Sequence, residues 1–293
     1  MLKKNFFFLF CLFSNLLIAE NNQLFSNVDL YLGPDTFRGI PSGSWSGNSG
    51  ANLGIDILFG IKQNPFIFGG ILGGSYGLYD WDNRGFSAAS SLTALEQEGF
   101  VSGGVFFGSD HFYGLDVALC YDLMITSSYG VFAVAPLLDQ VRAKLGITLN
   151  ENDQIGAWVT HFIQTAHAEI HEIPLTFRAI PQVNVYWSHF FNNSSRFSLW
   201  AGSPYSDSLM YPSGRAGQYI VGADFKAMLL EHLSITGTWT YMGARGENSF
   251  FRSSTFGNNI GFAITYSFGE ANNRVWMPSA NNSNFMIDTN AIQ

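Results

Sequence analysis

The sequence predicts an all-β protein, a closed antiparallel transmembrane β-barrel of about twelve strands with short turns at one end and long loops at the other. Three observations lead there. Apolar residues recur at period two in segment after segment, as side chains do on alternate faces of a strand. The connections between these segments alternate between short and long. Finally, the composition is 47% hydrophobic, 16% aromatic and only 12% charged, yet no apolar run after residue 19 is long enough for a membrane helix.

Taken in order, MLKKNFFFLFCLFSNLLIAE places Lys3 and Lys4 ahead of an apolar run from Phe6 to Ile18 that ends at Ala19. This is the layout of a secretory signal, so residues 1–19 are expected to be removed on export. The first strand is NVDLYL, in which Val28, Leu30 and Leu32 alternate with Asn27, Asp29 and Tyr31, followed by a long loop through Gly50. The second is ANLGIDILFG, with Leu53, Ile55, Ile57 and Phe59 opposing Asn52, Gly54 and Asp56. Phe66 to Tyr76 is ambiguous, because Ile67 and Ile71 fall on its polar face. Phe100 to Phe107, Tyr113 to Tyr121, Gln140 to Leu149, Gln154 to Phe162, Gln182 to Phe190, Arg196 to Ala201, Gln218 to Leu229, Leu233 to Tyr241 and Ile260 to Phe268 complete twelve.

Short turns lie at Lys62 to Pro65, Gly108 to Asp110, Asn150 to Asp153, Asn192 to Ser195 and Leu230 to His232, most of them rich in turn-forming residues. Longer connections separate them, around Tyr79 to Gly99, Asp122 to Asp139, Gln164 to Pro181, Gly202 to Gly217 and Gly243 to Thr255. A soluble sandwich has no reason to keep every short turn on one side, whereas outer-membrane barrels do. Aromatic residues concentrate near strand ends, as interfacial girdles would. Phe59, Phe66, Phe68, Phe106, Phe107, Phe112, Tyr113, Phe190, Phe191 and Phe197 flank the short turns. Tyr76, Tyr79, Trp81, Tyr121, Trp200, Trp239 and Tyr241 sit at the opposite level.

Composition also excludes function classes. Without its two signal lysines the chain has 12 basic and 22 acidic side chains, a net of −10, which argues against nucleic acid as a partner. Loss of Cys11 with the signal leaves Cys120 alone, so no internal disulfide is expected. His161, His167, His171, Glu169 and Glu172 form the densest polar cluster, but the order is not that of a zinc protease and a solvated loop is the expectation. Neither a catalytic constellation nor a metal or cofactor site is expected. His161 lies on the lipid-facing parity near a long loop, where a lipid-active enzyme would need its base, but no serine motif accompanies it.

The segments ANLGIDILFG, VNVYWSHFF, YIVGADFKAML and MPSANNSNFMID resemble those of bacterial outer-membrane barrels, and are similar to an uncharacterised family of predicted exported barrels from planctomycetes and related bacteria. The resemblance implies the fold and an outer-membrane location, and carries no catalytic residues. Residues 20–268 are then the barrel, with outer-membrane lipids and the barrel assembly machinery as partners. Residues 269–293 form a polar tail, periplasmic or tucked into the lumen, after a last strand ending in Tyr266 and Phe268. The lumen-facing candidates are Asp56, Asp116, Arg142, Lys144, Arg196, Asp224 and Lys226, whose mixed signs suit a wetted interior. They imply porin-like passage of small polar solutes or ions. The alternative is a structural or surface-interaction protein with a closed lumen, in which these charges pair and plug the barrel. The long loops, with Asp35, Asp80, Asp82, Glu96, Glu98, Asp122, Asp139, Glu169, Glu172, Asp207 and Glu247 against six arginines, are expected to give an acidic outer mouth.

Overall fold

The computed structural model describes residues 23–39, 43–79, 95–109, 114–130, 133–170, 172–191, 194–209, 216–243, 257–269 and 277–290. The expected signal, Cys11, Phe112, Tyr113, Trp81, His171 and the charges of residues 80–84, 215 and 245–252 lie outside them.

The described residues form fifteen strands: β1 (Gln23–Gly39), β2 (Gly43–Gln63), β3 (Phe66–Tyr79), β4 (Glu96–Ser109), β5 (Leu115–Ser127), β6 (Leu137–Thr148), β7 (Asp153–Phe162), β8 (Ala166–Ile170), β9 (Ile173–Ala179), β10 (Gln182–Phe190), β11 (Arg196–Pro204), β12 (Ile220–Met228), β13 (Leu233–Met242), β14 (Gly257–Gly269) and β15 (Ile287–Thr289). Twelve of them close an antiparallel barrel in the order β1-β14-β13-β12-β11-β10-β7-β6-β5-β4-β3-β2, and β15-β9-β8 make a small separate sheet. The seam is the pairing of β1 with β14, from Asn27 opposite Gly269 to Gly39 opposite Gly257. Closure gives each strand two hydrogen-bonded neighbours and leaves no open edge, which is the condition for a sheet to sit in hydrocarbon.

The alternation read from the sequence sets the faces. Leu53, Val185 and Ile264 point outward at 57%, 63% and 61% exposure, while Asp56, Asn184 and Thr265 point inward at 6%, 1% and 2%. The exterior carries a continuous population of exposed leucine, isoleucine, valine and phenylalanine side chains. In water such a surface would be an aggregation site, and in a bilayer it is the solvated face.

Several expectations are corrected. The first strand does not end at Leu32: β1 runs on to Gly39 and pairs with β2 nearly throughout, so the first loop-side connection is only residues 40–42 rather than a loop to Gly50. Pro34 conceals this continuation, since proline reads as a breaker. The β1–β14 ladder does skip Gly33 and Pro34, as a missing N–H requires. At Gly33 the backbones approach so closely that a Cβ would meet the Phe262 carbonyl oxygen at 1.9 Å. The same lengthening moves Asp35, Glu96, Glu98 and Asp122 from expected loops onto strands, buried and facing inward, while Asp139 becomes a buried residue of β6.

Four aromatic residues expected in the girdles face the lumen by parity: Tyr79, Phe106, Phe190 and Trp200. Ile67 and Ile71, ambiguous in the sequence, do face inward. With Leu58, Phe106, Ala118, Cys120 and Met277 they make an apolar cluster inside the barrel toward the short-turn end. Of the histidine-rich segment, His161 lies on β7, while His167 and Glu169 lie on β8, which forms an antiparallel hairpin with β9 rather than a loop. Leu175, Phe177 and Ala179 of that hairpin pack with Phe100, Met124 and Leu138 from the outer ends of β4, β5 and β6.

Candidate functional site: the barrel lumen

The polar tail decides the shape of the interior. After β14 ends at Gly269, residues 277–290 run up the inside of the barrel from the short-turn end to the loop end. Met277 sits in the apolar cluster with Ile67 and Ile71. Arg142 donates to the Pro278 carbonyl at 2.8 Å, the Ser279 N–H donates to Asp56 at 3.2 Å and its hydroxyl bonds the same carboxylate, and the Ala280 N–H donates to Ser102 at 2.8 Å. Higher up, the Asn282 amide donates to Asp35 at 3.2 Å and Glu98 at 2.7 Å, and Gln140 donates to the Asn284 carbonyl at 3.2 Å. Phe285 and Ile287 enter the outer apolar cluster. There Ile287, Asp288 and Thr289 pair with Ala179, Arg178 and Phe177 of β9. Of the two positions expected for the tail, this segment occupies the lumen.

All seven sequence-predicted residues face inward, and each is held. Arg142 makes a two-pronged pair with Asp122, at 2.9 and 3.0 Å, on a carboxylate that also accepts from Ser102 at 2.7 Å and Gln140 at 3.0 Å. Arg196 pairs with Asp224 at 2.6 Å, and Lys226 with Asp29 at 3.2 Å. Lys144 lies 5.0 Å over the Tyr186 ring. Asp116 accepts from Gln154, and Asp56 belongs to the tail contacts above. The fork geometry of arginine on carboxylate and the mutual screening of opposite charges are what permit these groups to be buried.

Sequence reasoning did not place Asp29, Asp35, Glu96, Glu98 and Asp122 among the lumen charges, and with them the acidic groups of the described wall outnumber the predicted cations Arg142, Lys144, Arg196 and Lys226. Asp29 shares the parity of Asn27 and Tyr31, and Asp122 that of Asp116, so extending the alternation would have found both.

Beside the tail lies a cavity of about 200 Å³, bounded by Asp29 and Tyr31 of β1, Lys144, Trp158 and Tyr186, the Arg196–Asp224 pair, Trp200, Lys226, Thr238 and Ser279. His161 of β7 and His189 of β10, both at outward-facing positions, behave differently. His161 stacks on Tyr205 and lies 2.9 Å from its hydroxyl, while His189 pairs with Asp153 at 2.9 Å by the short turns. Among the described residues no three ligating side chains converge in a way that could hold a metal ion.

A closed barrel with a lipid-compatible exterior and a hydrogen-bonded polar interior defines a β-barrel protein of the bacterial outer membrane. Residues 21–287 match the family of unknown function DUF6666, and the chain belongs to that family. No curated protein matches the sequence. Solved structures that resemble it include outer membrane phospholipase A from Escherichia coli (8% identity, TM-score 0.45, covering 81% of this chain and 92% of that one). Salmonella typhi OmpF in complex with daunomycin (8%, 0.38, 85% and 98%) and the P. putida toluene transporter TodX (9%, 0.36, 87% and 91%) are further examples. At these values the likenesses carry no argument about function.

Proposed function

We propose that the protein is a porin-like passive channel for small polar solutes or ions, without catalytic chemistry of its own, whose lumen is narrowed by its own C-terminal segment. The observation that carries this reading is the cavity between the tail and the barrel wall, in which hydroxyls and paired charges from β1, β2, β6 and β10 to β14 are set among aromatic and other apolar surface. The polar groups of this lining suit hydrated cargo, since a wall donor or acceptor can replace water that a solute sheds. Outer-membrane lipids on the exterior and the barrel assembly machinery are the partners that the topology calls for, and small polar solutes are the cargo.

The tail contacts and the outer apolar cluster favour a second reading, a closed barrel that acts through its outer surface. Conductance of the refolded full chain in a planar bilayer, beside a chain ending at residue 276, separates the two. A small conductance that rises several-fold on removal of the tail is the expected result. The wall carboxylates predict weak cation preference at low salt that fades as screening shortens to about 8 Å at physiological ionic strength. Absence of conductance from both forms would overturn the channel reading and leave the surface reading standing.

A further inference from the structure

Aromatic rings supply part of the cavity's surface beside its polar groups. Three of its aromatic residues lie flat against the barrel wall, each over a glycine directly opposite on the neighbouring strand. Tyr31 pairs with Gly54, Tyr186 with Gly156 and Trp200 with Gly222. A Cβ on any of these glycines would fall within 2.2 to 2.6 Å of the ring, so the glycine is what lets the ring lie down rather than stand into the lumen. A ring laid on the wall turns its other face to the interior. Lys144 covers that face of Tyr186, whereas Trp200, braced edge-on by Trp158 at 6.3 Å, and Tyr31 border the open space.

Charge around the cavity is balanced. Asp29, Asp35, Asp56 and Asp224 line it together with Arg142, Lys144, Arg196 and Lys226, and the Asp29–Lys226 and Arg196–Asp224 contacts neutralise one another within it. A solute with a net charge would face one partner and one competitor at each pair, and would lose hydration without a matching gain. A neutral molecule dense in hydroxyls meets donors and acceptors of both kinds, while an apolar ring face can rest on an aromatic platform. The volume of about 200 Å³ is below the ~300–1,000 Å³ of sites for drug-sized ligands and matches a guest of a single ring.

From these features we infer that the lumen holds a binding site for a neutral, single-ring polyol of the monosaccharide class, with Trp200 and Tyr31 as its stacking surfaces. The inference rests on the channel reading for its purpose, as the selectivity site of the passage, but its binding step can be tested without conduction. Refolded full-length protein in detergent is titrated with glucose, glucosamine and glucuronate, three rings of like size that differ in charge, and binding is followed by saturation-transfer NMR. Glucose is expected to bind with millimolar affinity, and the two charged sugars at least tenfold more weakly. Trp200→Ala should weaken glucose at least tenfold and Trp200→Phe should restore most of it, each variant being checked for native heat-modifiable migration in SDS gels. Equal binding of all three sugars, no glucose binding, or unaltered binding in folded Trp200→Ala would overturn the site. Glucose binding by a protein that shows no conductance would uphold the site and overturn the channel instead, whereas conductance without glucose binding does the reverse.

Discussion

Leu145 tests which face of the barrel meets lipid. It lies on β6 with 47% of its surface exposed, opposite Val117 on β5 and Ala157 on β7. The turn to β7 begins at Leu149, whose N–H donates to the Asp153 carbonyl at 2.8 Å. Four residues at ~3.4 Å each, with a strand tilt of ~40°, put Leu145 about 10 Å from the short-turn end. That is close to the middle of an apolar band ~25 Å tall, where an arginine on the lipid face costs about 2–4 kcal/mol. Thr238 on β13 has the opposite parity and borders the lumen cavity, its hydroxyl and the Asp35 carboxylate flanking Gly261. An arginine there finds a carboxylate and polar neighbours, so Thr238→Arg should cost about 1 kcal/mol or less. Urea-dependent folding into phosphatidylcholine vesicles, followed by fluorescence and gel migration, measures both. Equal or reversed costs would refute the facing, because a one-residue slip in register exchanges every lipid-facing side chain for a lumenal one.

Two further predictions concern the interior. Arg142→Ala leaves the Asp122 carboxylate buried with only Ser102 and Gln140 as donors and should destabilise by about 3–5 kcal/mol, while Arg142→Met combined with Asp122→Leu should recover most of that loss in the same urea titration. At the outer end, burial pushes the Asp288 carboxyl above its ordinary range despite donors from Leu209, Arg178 and Ser208. The docked tail therefore holds this proton more tightly than a released one: the resulting stabilisation is complete below the ordinary carboxylate pKa and is lost as pH rises through the raised value. Hydrogen exchange of Ile287 to Thr289 should accordingly slow more between pH 7 and pH 4, after correction for intrinsic rates, in the native chain than in Asp288→Asn, and equal corrected changes would show that Asp288 does not set the dependence.

The amino-acid sequence by itself determined the barrel, its twelve crossing strands and the identity of both faces. These follow from local rules: a period of two is dictated by the geometry of each strand, and turn residues mark the end at which the strands reverse. ANLGIDILFG is legible alone, because Leu53 and Asp56 cannot share a face of any strand. Only the tertiary structure decided how far the strands extend, which is why Asp35, Glu96, Glu98 and Asp122 lie in the wall rather than in the mouth. Pairing with a neighbour can carry a strand through Pro34, where local propensity says stop. The tertiary structure also decided what occupies the interior. Ser279 meets Asp56 across 223 residues of chain, and Trp200 lies down because Gly222 happens to be its partner on the next strand. Contacts of that separation are set by closure and register, and leave no periodic trace in the segments that make them.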